Sequence, residues 1–203
     1  MPDQSLYRTP FSSAYWRSAL ADFKRVRILT FAALMIAACA ALSYIPYIPV
    51  AGTGARVTWG FLARSVCGMV GGPITALVFG LAEDTISFFI NPTGTYFPGY
   101  ALTTMLGTMI YALFLYRARP TPLRVFLAKL FTNALNVVLG SLWSAILYSK
   151  GYLYYMTTSF WKNLILLPIQ TVILFVLIKA LTAPLQQMGL LPQYDGGERS
   201  GNQ

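Results

Sequence analysis

Six strongly apolar runs follow one another between Ile28 and Leu181, and no Asp, Glu, Lys or Arg interrupts the chain from Thr85 to Tyr116. A membrane-spanning helix needs about 20 mostly apolar residues. The first run, Ile28 to Tyr44, stops at "IPYIP"; the second starts near Val57 and breaks at Gly71-Gly72-Pro73. The third is "ITALVFGLAEDTISFFI", the fourth Tyr100 to Tyr116, the fifth Leu123 to Tyr148 and the sixth Trp161 to Leu181. Only 10% of the 203 residues are charged, against about 25% in soluble domains, too few to cover a water-facing surface. The expectation is an all-α integral membrane bundle of six transmembrane helices over residues 27–182. It is preceded by a polar segment, 1–26, and followed by a polar tail, 183–203.

The net charge of +9 raises the question of nucleic acid. The basic residues sit in the breaks between apolar runs, which is a membrane pattern, so no nucleic-acid partner is expected. With the N-terminus placed in the cytoplasm, Arg8, Arg17, Lys24, Arg25, Arg27, Arg117, Arg119, Arg124, Lys129, Lys179 and Arg199 lie inside. Only Arg56, Lys150 and Lys162 lie near outer ends, and Arg64 falls within a span. This bias puts both termini inside. Three segments rich in Gly, Thr and aromatic residues then face outward: "PYIPVAGTGAR", "NPTGTYFPG" and "YSKGYLYYMTTSFW".

The absence of histidine removes His-based triads and His-liganded zinc. There is no GxSxG elbow and no cluster of aspartates for magnesium, which speaks against a membrane acyl- or isoprenyl-transferase. No catalytic residue, metal or cofactor is expected. Without a GxxxxGK[ST] motif, any energy for transport has to come from partners. Cys39 and Cys67 read as small buried hydrophobes.

Charge inside a span is costly and marks a candidate site. Arg64 can face a ligand or partner, or pair with Glu83 or Asp84. Those two acids are adjacent, so in a helix they point about 100° apart and form no acid/base dyad. Arg56 is either an interfacial anchor or a fork for a carboxylate. Asn133 and Asn136 share a helix face, as do Asn163 and Gln170, with Lys162 beside them; helix–helix bonds or ligand contacts both suit such amides. Ala33, Ala37 and Ala41 form a flat stripe at a spacing of four, suited to internal packing or to docking of a partner subunit.

The run "NPTGTYFPGYALTTMLG" is longer than a turn requires. Pro92-Thr93-Gly94 supplies the turn and Pro98 suits a first helical position, with Thr103 and Thr104 one turn further in. The surplus places Tyr96, Phe97 and Tyr100 beside hydroxyls and Gly99, a surface suited to a flat heteroaromatic ligand.

Six spans in about 180 residues, the AxxxA stripe and "DTISFFINPTGTYFPGYALTTMLGTMIYALFLYR" together resemble the substrate-binding S component of energy-coupling factor vitamin transporters. The likeness is strongest to the folate-specific member, whose pattern reads approximately "PTGxYFPGFT" and then "GLIYGLFLY". The segments "LGSLWSAILY", which contains Trp143, and "KNLILLPIQ" are similar to that family's "LNTLWLSILYG" and "KNLIxxPIQ". Gly140-Ser141 stands where the family commonly has Asn-Thr. The resemblance covers residues 27–182. It implies a non-enzymatic subunit that binds folate outside, docks through Ala33 and Ala37 on a membrane T component with two cytoplasmic ATPases, and releases the vitamin inside. The implied ligand-binding set is Arg56, Arg64, Tyr96, Phe97, Pro98, Gly99, Tyr100, Thr103, Asn133, Asn136, Trp143, Lys162, Asn163 and Gln170. The alternatives are another small ligand such as thiamine or a modified purine, or a structural membrane subunit.

Overall fold

The computed structural model describes residues 12–45, 48–49, 56–57, 59–90, 96–148 and 151–194. Helix α1 (Ser13–Phe23) precedes α2 (Val26–Ser43), followed by a two-residue antiparallel pair, β1 (Ile48–Pro49) with β2 (Arg56–Val57). Then come α3 (Phe61–Ile90), α4 (Pro98–Leu115), α5 (Pro122–Leu135), a π-helical turn at Asn136–Gly140, α6 (Ser141–Tyr148) and α7 (Tyr152–Gln187). Among the described residues, five helical stretches are long and apolar enough to cross a membrane: α2, α3, α4, α5 through α6, and α7. The protein is a multi-pass, all-helical membrane protein with one vestigial strand pair.

The second and third runs expected from the sequence both lie within α3. Its helical path breaks at Gly72, where φ is 74° and ψ −179°. On one continuous helix Arg64 and Glu83 would stand about 28 Å apart. Their side chains nevertheless meet at 2.9 Å, so the chain turns back at Gly72 and forms two antiparallel arms. The break falls at the "GGP" punctuation because Gly72 adopts a backbone region closed to L side chains, and Pro73 restarts the helix with its φ already set. The first arm, residues 61–71, is short, at roughly 16 Å.

Both arms lie against α4. A Cβ at Gly80 would stand 2.6 Å from the Met105 Cα, so only glycine permits this approach. Pro98 opens α4 and Pro122 opens α5, each at the position where a missing N–H costs nothing, and the Thr121 hydroxyl caps α5 through the Arg124 N–H. Helix α2 packs Ala32 and Cys39 onto Ala63, Cys67 and Phe79, and both cysteines are free and buried. Ala33, Ala37 and Ala41 lie on the other side of α2 and are exposed, so the stripe does not serve packing within this chain.

The half of the bundle toward the Gly72 turn is filled by Met69, Tyr111, Leu115, Val125, Leu174 and Ile178. Part of the segment expected to be a plain polar lead-in is α1, which closes this end. Tyr15 and Ala19 are buried, and the Tyr15 hydroxyl donates to the Ala112 carbonyl at 3.2 Å. Burial pushes the Tyr15 phenol well above its ordinary pKa, so it remains a donor. Asp22 accepts from the Tyr116 hydroxyl at 2.6 Å and from Arg117 Nη2 at 3.0 Å, and pairs with Arg25. Arg117 holds a positive φ of 48° to reach it.

Two further differences concern α7. "YSKGYLYYMTTSFW", expected as an outer loop, is helical from Tyr152 onward, because no helix breaker intervenes between Gly151 and Pro168. At the other end the helix runs on to Gln187, and the following residues turn back with Leu191 buried and Arg119 Nη2 donating to the Tyr194 carbonyl at 2.5 Å.

A Gly72→Ala variant is expected to lose about 1–3 kcal/mol, because Ala cannot relax in that backbone region and its Cβ would press on the Tyr116 ring at 3.0 Å. Gly140→Ala, where a Cβ meets nothing within 4 Å, serves as the matched control and leaves the midpoint of thermal unfolding in detergent essentially unchanged.

Candidate functional site

The half of the bundle away from the Gly72 turn is hollow. A cavity of about 280 Å³, near the low end of the roughly 300–1,000 Å³ of small-molecule sites, lies between the first arm of α3 and helices α4, α5, α6 and α7. Arg64, Tyr100, Thr103, Asn133, Asn136, Lys162, Asn163 and Gln170, all singled out from the sequence, line it together. The two amide pairs, three and seven residues apart, therefore open onto one space.

Arg64 is held from behind. Its Nε donates to Glu83 Oε2 at 2.9 Å and its Nη2 to Glu83 Oε1 at 3.1 Å, a bidentate fork that the Ser87 hydroxyl extends at 3.1 Å. Glu83 is 2% exposed, whereas Arg64 still shows part of its side chain to the cavity. Asp84 takes a different partner, accepting from Thr104 at 2.9 Å across to α4. Among the described residues, none that lines the cavity is a carboxylate.

The aromatic group of the opening motif divides. Only Tyr100 lines the cavity, with its hydroxyl 3.2 Å from that of Ser144. Phe97 packs on Trp143 at 5.5 Å between ring centroids, and Gly99 lies against both. Trp143 stands one layer back and donates its Nε1–H to Thr103 Oγ1 at 2.9 Å, which orients a hydroxyl that does line the cavity. Tyr96 meets the Thr85 hydroxyl and the Phe88 ring, and Pro98 opens α4. None of Tyr96, Phe97, Pro98, Gly99 and Trp143 forms the cavity wall: Tyr96 packs toward α3, and Phe97 and Trp143 pack on each other. The Arg56 side chain and Asn91–Thr95 lie outside the described residues.

Several wall residues carried no signal in the sequence: Phe61, Thr108, Tyr111, Thr132, Ser144 and Ser159. The main correction is Lys129. Counted by sequence as an inner-loop charge, it is 4% exposed within α5 and lines the cavity, its Nζ 4.0 Å from the centroid of the Phe61 ring. Helix α5 begins at Pro122, so Lys129 lies two turns inside it, within the fifth apolar run, and does not belong to the count of inner-loop charges.

No protein-family model matches the chain. The folate transporter FolT of Clostridium novyi is 28% identical over 153 residues, which is 75% of this chain and 88% of that protein. Folate transporter FolT of Leuconostoc mesenteroides subsp. mesenteroides is 28% identical over 130 residues, 61% of this chain and 70% of that one. A crystal structure of FolT bound with folic acid matches with a TM-score of 0.66 and 26% identity, over 75% of this chain and 91% of that chain. The chain is similar to the FolT folate transporters over most of its length. The FolT likeness upholds the family resemblance read from the sequence.

Replacing Arg64 with Met strands the buried Glu83 carboxylate. The expected loss lies toward the lower end of the roughly 3–5 kcal/mol seen when a buried pair is broken, since Arg64 is partly solvated. Adding Glu83→Gln recovers a large part of the loss, which thermal unfolding of the single and double variants measures.

Proposed function

We propose that this chain is the folate-binding S component of an energy-coupling factor transporter. The observation that carries this reading is the hollow itself: hydroxyls, amides and cations in a space without carboxylates, in a chain similar to FolT bound with folic acid. Folate offers a flat heterocycle with donors and acceptors, an aromatic linker and carboxylates. Tyr100, the four cavity amides and Lys162 supply partners of each kind. The charge bias of the connecting segments supports a cytoplasmic N-terminus and an outward-facing cavity.

Binding alone moves nothing across a membrane. The exposed Ala33, Ala37 and Ala41 stripe supports docking on a T component, because small residues let another helix approach closely. Two cytoplasmic ATPases on that partner would then supply the energy for release inside, and the chain has no catalytic role of its own.

Titration calorimetry on the purified chain, without ATP, is expected to show tight binding of folic acid. No heat with folic acid but clear binding of thiamine would overturn the ligand assignment. Ala33→Leu combined with Ala37→Leu is expected to abolish uptake into cells while leaving folic acid binding by the isolated chain unchanged; loss of both together would refute the docking role.

A further inference from the structure

Besides Tyr111, whose hydroxyl also lacks a partner among the described residues, three polar side chains of the cavity hold hydrogen-bonding capacity that the described residues do not use. Lys129 is 4% exposed, yet among the described residues no carboxylate pairs with its ammonium, which lies over the Phe61 ring. Asn133, one turn further along α5, keeps its Nδ2 donor without a partner among the described residues. Gln170 on α7 likewise keeps its Oε1 acceptor. All three line the same cavity, where Arg64 is already engaged by Glu83. A buried polar group left unsatisfied is destabilising, so three in one cavity point to a ligand that completes them.

The chemistry of that ligand edge follows from the groups. Lys129 and Asn133, four residues apart on one helix face, both offer donors and call for an acceptor. Gln170 offers an acceptor and calls for an N–H. A ring carbonyl beside a ring N–H, the lactam edge of an oxo-heterocycle, meets both demands. A dicarboxylate does not, because an ionised carboxylate offers acceptors alone and leaves the Gln170 Oε1 without a donor.

We propose that Lys129, together with Asn133, donates to the ring carbonyl of an oxo-heterocycle while Gln170 accepts from the adjacent ring N–H, so that Lys129 selects the oxo over the amino form of the ring. This rests on the folate-type reading above and assigns its ring-recognising residues. An amino group in place of the carbonyl turns the acceptor into a donor, sets N–H against N–H and leaves the ammonium buried without an acceptor.

The test compares folic acid with aminopterin, which carries the same glutamate but an amino group in place of the ring carbonyl, by calorimetry on the full chain. Wild type is expected to prefer folic acid. Lys129→Met is expected to weaken folic acid roughly 10- to 100-fold, the range for one charge-assisted hydrogen bond, while aminopterin changes little and the preference collapses. Lys129→Gln, which keeps a polar side chain there, gives the same collapse and provides the result if the Met variant does not fold. Equal wild-type affinity for the two ligands overturns the assignment. So does an equal loss for both in the variants, which would place Lys129 on the shared carboxylates or in packing. No binding of folic acid by wild type overturns the folate reading itself.

Discussion

The pairing of Arg64 with Glu83 is the contact on which the upper half of this bundle depends. Either charge alone within the membrane would be costly, so the two arms of α3 are held together at the level where the cavity begins. The same contact fixes the cavity wall. Arg64 faces the hollow on one side and is clamped on the other, and Glu83 is itself fixed by Ser87. Asp84, one residue on, ties the second arm to α4 through Thr104. The adjacent acids therefore secure two different interfaces, which follows from their roughly 100° separation around the helix.

The two ends of the bundle are built from different materials. Toward the Gly72 turn the interior is apolar and closed, with α1 held across it through Tyr15 and Asp22. Toward the other end the same helices present hydroxyls, amides and cations to a shared space. The alanine stripe of α2 faces away from both. The cavity and the surface suited to a partner helix thus occupy separate sides of the chain, which makes them separable by substitution.

Much of this was legible in the sequence because lipid imposes strong rules. Long apolar runs mark the spans, and Pro98 and Pro122 mark helix starts. Amides within spans need partners, and Asn133, Asn136, Asn163 and Gln170 do line one cavity. What was missed has physical reasons. Helix α1 buries only Tyr15, Ala19 and Asp22, a pattern too sparse for its basic surroundings to reveal. Lys129 was misplaced because a lysine between apolar residues reads equally as a helix end or a buried cation. Tyr96, Phe97 and Trp143 have the right chemistry for a ligand, but their orientation is set by contacts among themselves that no linear spacing displays. Reversal of α3 at Gly72 was marked by "GGP", yet its first arm is shorter than a spanning helix, which periodicity did not foretell.

The π-helical turn at Asn136–Gly140 carries one residue more than an α-helical turn would hold. That surplus residue shifts the angular phase of everything after it by about 100°. On a plain α-helix Asn136 and Ser144 would stand about 80° apart around the axis; one extra residue brings them to about 20°, and both line the cavity. The turn works as a register adjuster: it turns the amides of the lower part of one continuous span and the Ser144 hydroxyl of its upper part toward the same cavity. A shortening by one residue here would keep the helix, its length and its hydrophobicity, yet rotate the whole of α6 out of alignment with the site.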